Sequence, residues 1–181
     1  MQNPASIETS ASRTDETHRQ TAFAVATVVI AGAVAGAIDL AVNTVKAVST
    51  GTSILRPWQG VAAALFGKDA VVHGGDAMGI VGLGLHFLIT TGAAAIYYLV
   101  AKRQRWLVVH PFLSGLVFGT MFFLVLNYVI LPLSVIGHPL YAGGDKIADA
   151  LPNHIIMIGL PISMIIGWRL ERDSGKTQPE A

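Results

Sequence analysis

The chain has 181 residues, 52% hydrophobic and 13% charged, with a mean hydropathy of +0.58. Soluble domains carry about 25% charged residues, so an ordinary soluble domain is excluded and a membrane protein is indicated. A net charge of +1 provides no nucleic-acid surface, and the absence of cysteine removes disulfides, iron–sulfur clusters, thiolate metal sites and thiol catalysis.

Residues 1–20 are polar and mixed in charge (Glu8, Arg13, Asp15, Glu16, Arg19), the composition of a disordered tail. The polar lead is long and the apolar run behind it is longer than a signal core, so residues 22–45 read as a retained first span rather than a cleaved leader. Gly32, Gly36, Asp39 and Asn43 follow one another at spacings of four, three and four, which places them on one helical face. Gly32 and Gly36 form a G-x-x-x-G pair suited to close helix packing. Asp39 is the costly residue of this span, because an intramembrane carboxyl faces protein or water.

Residues 50–76 hold too short an apolar stretch to span. Arg56 and Lys68 bound it, Pro57 suits a helix start and Trp58 suits the membrane–water interface, so a short interfacial or re-entrant helix is expected. His73-Gly74-Gly75-Asp76 reads as a turn. Residues 77–100 contain no Asp, Glu, Lys or Arg and exceed the roughly 20 residues a membrane helix needs. Within this second span Gly79, Gly82, His86, Thr90 and Ala93 share a small, polar face that looks toward other helices.

Lys102, Arg103 and Arg105 make a dense basic loop with Trp106 as an interface anchor. The third span, residues 112–133, carries Gly115, Gly119, Thr120 and Asn127, and Pro132 ends or kinks it. Thr120 and Asn127 share a face, from which the two glycines drift. Residues 134–153 read as a loop with a short helical turn before Pro152. The fourth span, residues 150–168, has His154 near its start and a kink expected at Pro161. A polar tail, residues 170–181, closes the chain.

The expected architecture is therefore all-α: an integral-membrane four-helix bundle over residues 21–169, with a short interfacial or re-entrant helix between the first two spans. Four spans put both termini and the basic loop on one side, which holds eight lysines and arginines against four on the other. The positive-inside rule makes that side cytoplasmic. With span midpoints near Ala33, Ile89, Phe122 and Gly159, a rise of about 1.5 Å per residue puts Asp39 about 9 Å, His86 about 4–5 Å, and Asn127 and His154 about 7–8 Å outward of centre. These four residues are the candidate site, an outward polar pocket roofed by the Trp58 segment. Gly32, Gly36, Gly79, Gly82, Gly115 and Gly119 are candidate packing positions.

Three uses of such a pocket stay open. Asn, His and Asp hold membrane helices together by hydrogen bonds, which makes the network structural in a non-enzymatic bundle. A carboxylate beside a histidine relays protons, which suits a small proton-linked or solute-conducting protein, in particular as a homo-oligomer. Two imidazoles and a carboxylate bind a divalent metal, and two histidines ligate a haem iron. The crowding of small residues favours close helix contact over a cofactor slot, so no cofactor is expected. Neither G-x-S-x-G nor H-E-x-x-H occurs, and no enzyme is expected. The partners expected are the bilayer and a small molecule or ion.

The segments LRPWQGVAAALFG, GLGLHFLITTGAAAIYYLV, LNYVILPLS and HIIMIGLPI, in that order, resemble a group of small four-span bacterial inner-membrane proteins, most of them described only as uncharacterised. The resemblance runs from about Ala31 to Gly167. More distantly the chain is similar to YagU-type inner-membrane proteins, which also place a histidine in a glycine-containing second span and another near the start of the last. The resemblance implies the fold, the topology and attention to Asp39, His86, Asn127 and His154. It implies no activity.

Overall fold

In lipid, only helices satisfy a single spanning segment's backbone internally, so long apolar runs with few charges become helices. The computed structural model describes the backbone of residues 4–176 and the side chains of residues 13–174. Four elements are long and apolar enough to cross a membrane: Arg13–Ser49, Lys68–Ala101, Pro111–Leu133 and Gly144–Ser174. No strand occurs among the described residues. The chain is all-α, with the architecture of a four-helix bundle.

The first helix, α1 (Pro4–Ser49), is longer than its apolar run. The segment expected as a tail continues the helix back to Pro4. Its turns are closed locally: Thr17 Oγ1 donates to the Arg13 carbonyl and Thr21 Oγ1 to the Thr17 carbonyl, both at 2.9 Å. Residues 13–22 are exposed. The expected C-terminal tail is likewise helical as far as Lys176. Residues 1–3 and 177–181 of the two tails lie outside the described residues.

Helix α2 (Arg56–Phe66) starts with Pro57 in its first turn, as expected of a residue whose missing N–H has no partner there anyway. Trp58 is buried within the protein. Small residues on both sides, Ala62 on α2 and Gly82 on α3 (Lys68–Ala101), let the two backbones meet and enclose the indole. The turn expected at residues 73–76 is a break inside α3 at Gly75, whose φ of 51° suits a residue without a side chain. After the basic loop comes a short helix that periodicity did not reveal, α4 (Arg105–Val109).

The third span is α5 (Pro111–Val125), a π-helical turn at Leu126–Ile130, and α6 (Leu131–Leu133). The fourth is α7 (Gly144–Asn153), a π-helical stretch at His154–Gly159, and α8 (Leu160–Lys176). Each wide turn closes just before a proline. Leu131 N–H donates to the Leu126 carbonyl, ahead of Pro132, and Leu160 N–H to the Ile155 carbonyl, ahead of Pro161. Proline has no N–H and its ring crowds the carbonyl four residues back, so the helix widens by one residue instead of breaking.

The second span packs on the first, the first on the fourth, and the third on the fourth. Gly32 meets Thr91 and Gly36 meets Phe87 and Thr90, joining α1 to α3; Gly115 and Gly119 meet the fourth span at Leu160, Ser163 and Ile155. Gly115, Gly119 and Asn127 are all buried. The central core is small and aliphatic, with Ala31, Ala35, Ala94, Ile162 and Ile166 fully buried. Tyr97 ties the second and third spans together through a 2.7 Å hydrogen bond with Ser114. Large apolar residues such as Val29, Ile80, Leu88, Ile96, Val117 and Met164 face outward, as lipid contact demands.

Candidate functional site

His86 is buried where α1 and α2 both press on α3. A Cβ at Gly36 would strike Phe87 and Thr90, and one at Gly82 would strike the Trp58 carbonyl, so glycine at both positions brings the neighbouring helices onto the imidazole. Its Nε2 lies 3.1 Å from the Gly36 carbonyl oxygen. A carbonyl only accepts, so Nε2 carries the proton in this bond. The rings of Trp58 and Phe87 pack against it at centroid distances of 4.7 and 5.4 Å.

Asp39 lies three residues beyond Gly36 on the same face of α1. Its Oδ2 stands 3.7 Å from His86 Nε2, within ion-pair range but beyond hydrogen-bonding distance. Its Oδ1 accepts from Asn43 Nδ2 at 3.0 Å. His154 opens the π-helical stretch of the fourth span. Its Nδ1 donates to the Ala150 carbonyl at 2.8 Å, and Phe122, Phe123 and Tyr141 surround the ring.

Asp39, His86 and His154 line one cavity of about 320 Å³, open at the end of the bundle away from the termini. Trp58, Phe122 and Tyr141 supply aromatic wall. At the rim Lys46 Nζ and Asp149 Oδ2 form a 2.8 Å ion pair, both side chains more than half exposed. Burial pushes the Tyr141 phenol above its ordinary range, and the Asp39 and Asp149 carboxylates add to the shift against Lys46. Three of the four expected pocket residues are thus brought together.

Asn127 is the exception. It does not line the cavity. Fully buried, it accepts from the backbone N–H groups of Leu140 (3.1 Å) and Tyr141 (3.0 Å) and donates to the Tyr141 carbonyl (3.0 Å). It holds the loop that carries Tyr141, so it shapes the wall from behind. Sequence reasoning also missed Lys46, Tyr141 and Asp149. Lys46 had a signal, because Asp39, Asn43 and Lys46 continue one stripe at spacings of four and three. Tyr141 had none, since a loop carries no periodicity, and Asp149 lies in α7 within the stretch read as a loop.

The arrangement does not favour a metal. Among the described residues no three His, Asp or Glu side chains come close enough to hold an ion. His86 also commits Nε2, its nitrogen nearest to Asp39, to the Gly36 carbonyl. A second, wider groove of about 900 Å³ lies at the terminal end, where Asp15, Glu16 and Asp173 are interspersed with Arg19, Arg169 and Arg172. Its acids balance its bases, and it offers no preference for either sign of charge. Compared with known proteins, the chain matches no family model, no curated protein and no solved structure.

Proposed function

We propose that the chain is a non-enzymatic protein of a bacterial inner membrane, with both termini in the cytoplasm, that binds a small solute in a proton-exchanging pocket open to the outer face. The resemblance to small four-span inner-membrane proteins and the excess of lysine and arginine at the terminal end support the location and orientation. One observation carries the functional reading: Asp39 and His86, 3.7 Å apart, stand on the wall of an open cavity rather than inside a closed network. The second carboxylate oxygen of Asp39 lies beyond hydrogen-bonding reach of His86, on a residue that lines the cavity. A cavity near 300 Å³ with mixed apolar and polar walls is of the size that small ligands occupy.

The absence of cysteine makes this reading directly testable. Val61 lines the cavity, Asn153 also lines it, and Val29 faces lipid. In intact cells, a membrane-impermeant thiol reagent is expected to label Val61→Cys and Asn153→Cys but not Val29→Cys. An unreactive Val61→Cys in folded protein would remove the open pocket. Labelling of both cavity variants only after the cytoplasmic side is exposed would keep the pocket and reverse the orientation.

A further inference from the structure

The ionisable groups on the cavity wall are unevenly paired. Two carboxylates, Asp39 and Asp149, and one ammonium, Lys46, line it, and Lys46 is bonded to Asp149 at the rim. That leaves Asp39, the deeper acid, without a basic partner among the wall's lysines and arginines. The imidazoles do not fill the role as placed. The His86 Nε2–H is given to the Gly36 carbonyl and the His154 Nδ1–H to the Ala150 carbonyl, so neither neutral ring donates to Asp39. Asn43 satisfies Oδ1 with a neutral donor, and Oδ2 remains 3.7 Å from the nearer ring. A carboxylate at membrane depth needs a counter-charge. Around it stand Trp58, Phe122 and Tyr141, whose ring faces attract cations and repel anions.

We infer that the pocket takes a small organic cation, an ammonium group on a compact apolar body, with Asp39 as its counter-ion and the aromatic wall around its apolar part. The inference rests on the pocket reading above and adds the charge and class of the ligand. Lys46 bonds Asp149 at the rim and not Asp39, which leaves the deep acid to a ligand.

The test uses the full chain carrying Val61→Cys and two thiol reagents of similar size and opposite charge, trimethylammonioethyl and sulfonatoethyl methanethiosulfonate. Rates are normalised to those with a free small thiol. Charged clefts change local ion concentration by factors of about 10 or more, so the cationic reagent is expected to react about tenfold faster than the anionic one. Asp39→Asn should bring that ratio close to one. Benzyltrimethylammonium should slow labelling saturably, and benzoate should not. If neither reagent reacts, the pocket is closed and the underlying reading fails with the inference. If both react at similar normalised rates and benzyltrimethylammonium gives no protection, the pocket stands and the cation assignment is overturned. The ratio in the Asp39-containing chain decides the matter even if Asp39→Asn does not fold.

Discussion

Gly82 is the residue on which the pocket's geometry depends most directly. A methyl group there would overlap the Trp58 carbonyl oxygen and crowd the Ala62 nitrogen, so α2 would have to lift from α3 and take Trp58 off the His86 ring. Overpacking of this kind costs about 1–3 kcal/mol. Gly82→Ala is expected to lower the thermal midpoint of the detergent-solubilised protein and to make Trp58 accessible to a soluble quencher. Gly84→Ala, two residues away in open space, should hold or raise the midpoint and leave Trp58 shielded. Asn127→Ala removes three hydrogen bonds, two of them to backbone N–H groups of the 140–141 loop, and should cost about 2 kcal/mol. Because Asn127 sits behind the wall, its loss should loosen Tyr141 while leaving the Asp39–His86 spacing intact. Tyr141 itself gives a pH-dependent effect. Its folded pKa is raised, first by burial and then by the Asp39 carboxylate, so the folded state holds the phenolic proton longer than the unfolded chain. Stability from this residue is therefore present below about pH 10, the unfolded value, and is lost as pH rises above it. Tyr141→Phe should flatten that alkaline limb in a melting curve taken against pH.

The helices themselves show how far periodicity reaches. The apolar runs marked four spans, and the glycine pairs marked packing faces, because a 3.6-residue repeat is visible in any single chain. Which helix each glycine would meet was not visible, since Gly32 against Thr91 and Gly119 against Ile155 are contacts between runs that share no pattern. Helix ends were misjudged for a related reason. Polar residues beyond the bilayer form helix through local bonds such as Thr21 to Thr17, which hydropathy does not register. The two π-helical turns were also hidden, although Pro132 and Pro161 marked where the strain would fall. They have a consequence for the site, because a turn with one extra residue rotates everything before it relative to everything after. His154 begins such a stretch and reaches the cavity from it. Pro161→Ala restores the missing N–H and should permit an ordinary α-helical turn, worth up to about 3 kcal/mol of helix propensity. Its thermal midpoint is expected to hold or rise. Its His154 ring should nevertheless turn away from the cavity, and the neighbouring Asn153→Cys should label at a changed rate from outside. A variant with an unchanged rate would show that the wide turn relieves the proline without positioning the histidine.

At the scale of the whole molecule, the site was legible because depth is a property of the chain rather than of the fold. Asp39, His86 and His154 were placed in the same half of the bilayer by counting residues, and helices packed side by side can only join groups at similar depth. Asn127 has the same depth and is absent from the wall, because depth fixes height and not rotation, and its partners lie in a loop with no repeat to read. A count of charges along the chain supports the proposed orientation. The terminal end carries Arg13, Arg19, Lys102, Arg103, Arg105, Arg169, Arg172 and Lys176; the pocket end carries Lys46, Arg56, Lys68 and Lys146. Of the latter, Lys46 is bonded to Asp149 within the pocket rim. Replacing Lys102, Arg103 and Arg105 by glutamine removes three charges from the terminal end and leaves five against four. Short loops next to spans set topology through lysine and arginine, so a bias this small should no longer hold every chain in one orientation. In the parent protein Val61→Cys is expected to label fully from outside the cell. In the triple glutamine variant a fraction of chains should become labelled only after permeabilisation, with reporter activity at the C-terminus appearing on the outer face in the same proportion. If the triple variant keeps a single orientation, the charge difference does not set the topology, and the orientation must come instead from the order in which the strongly apolar spans insert.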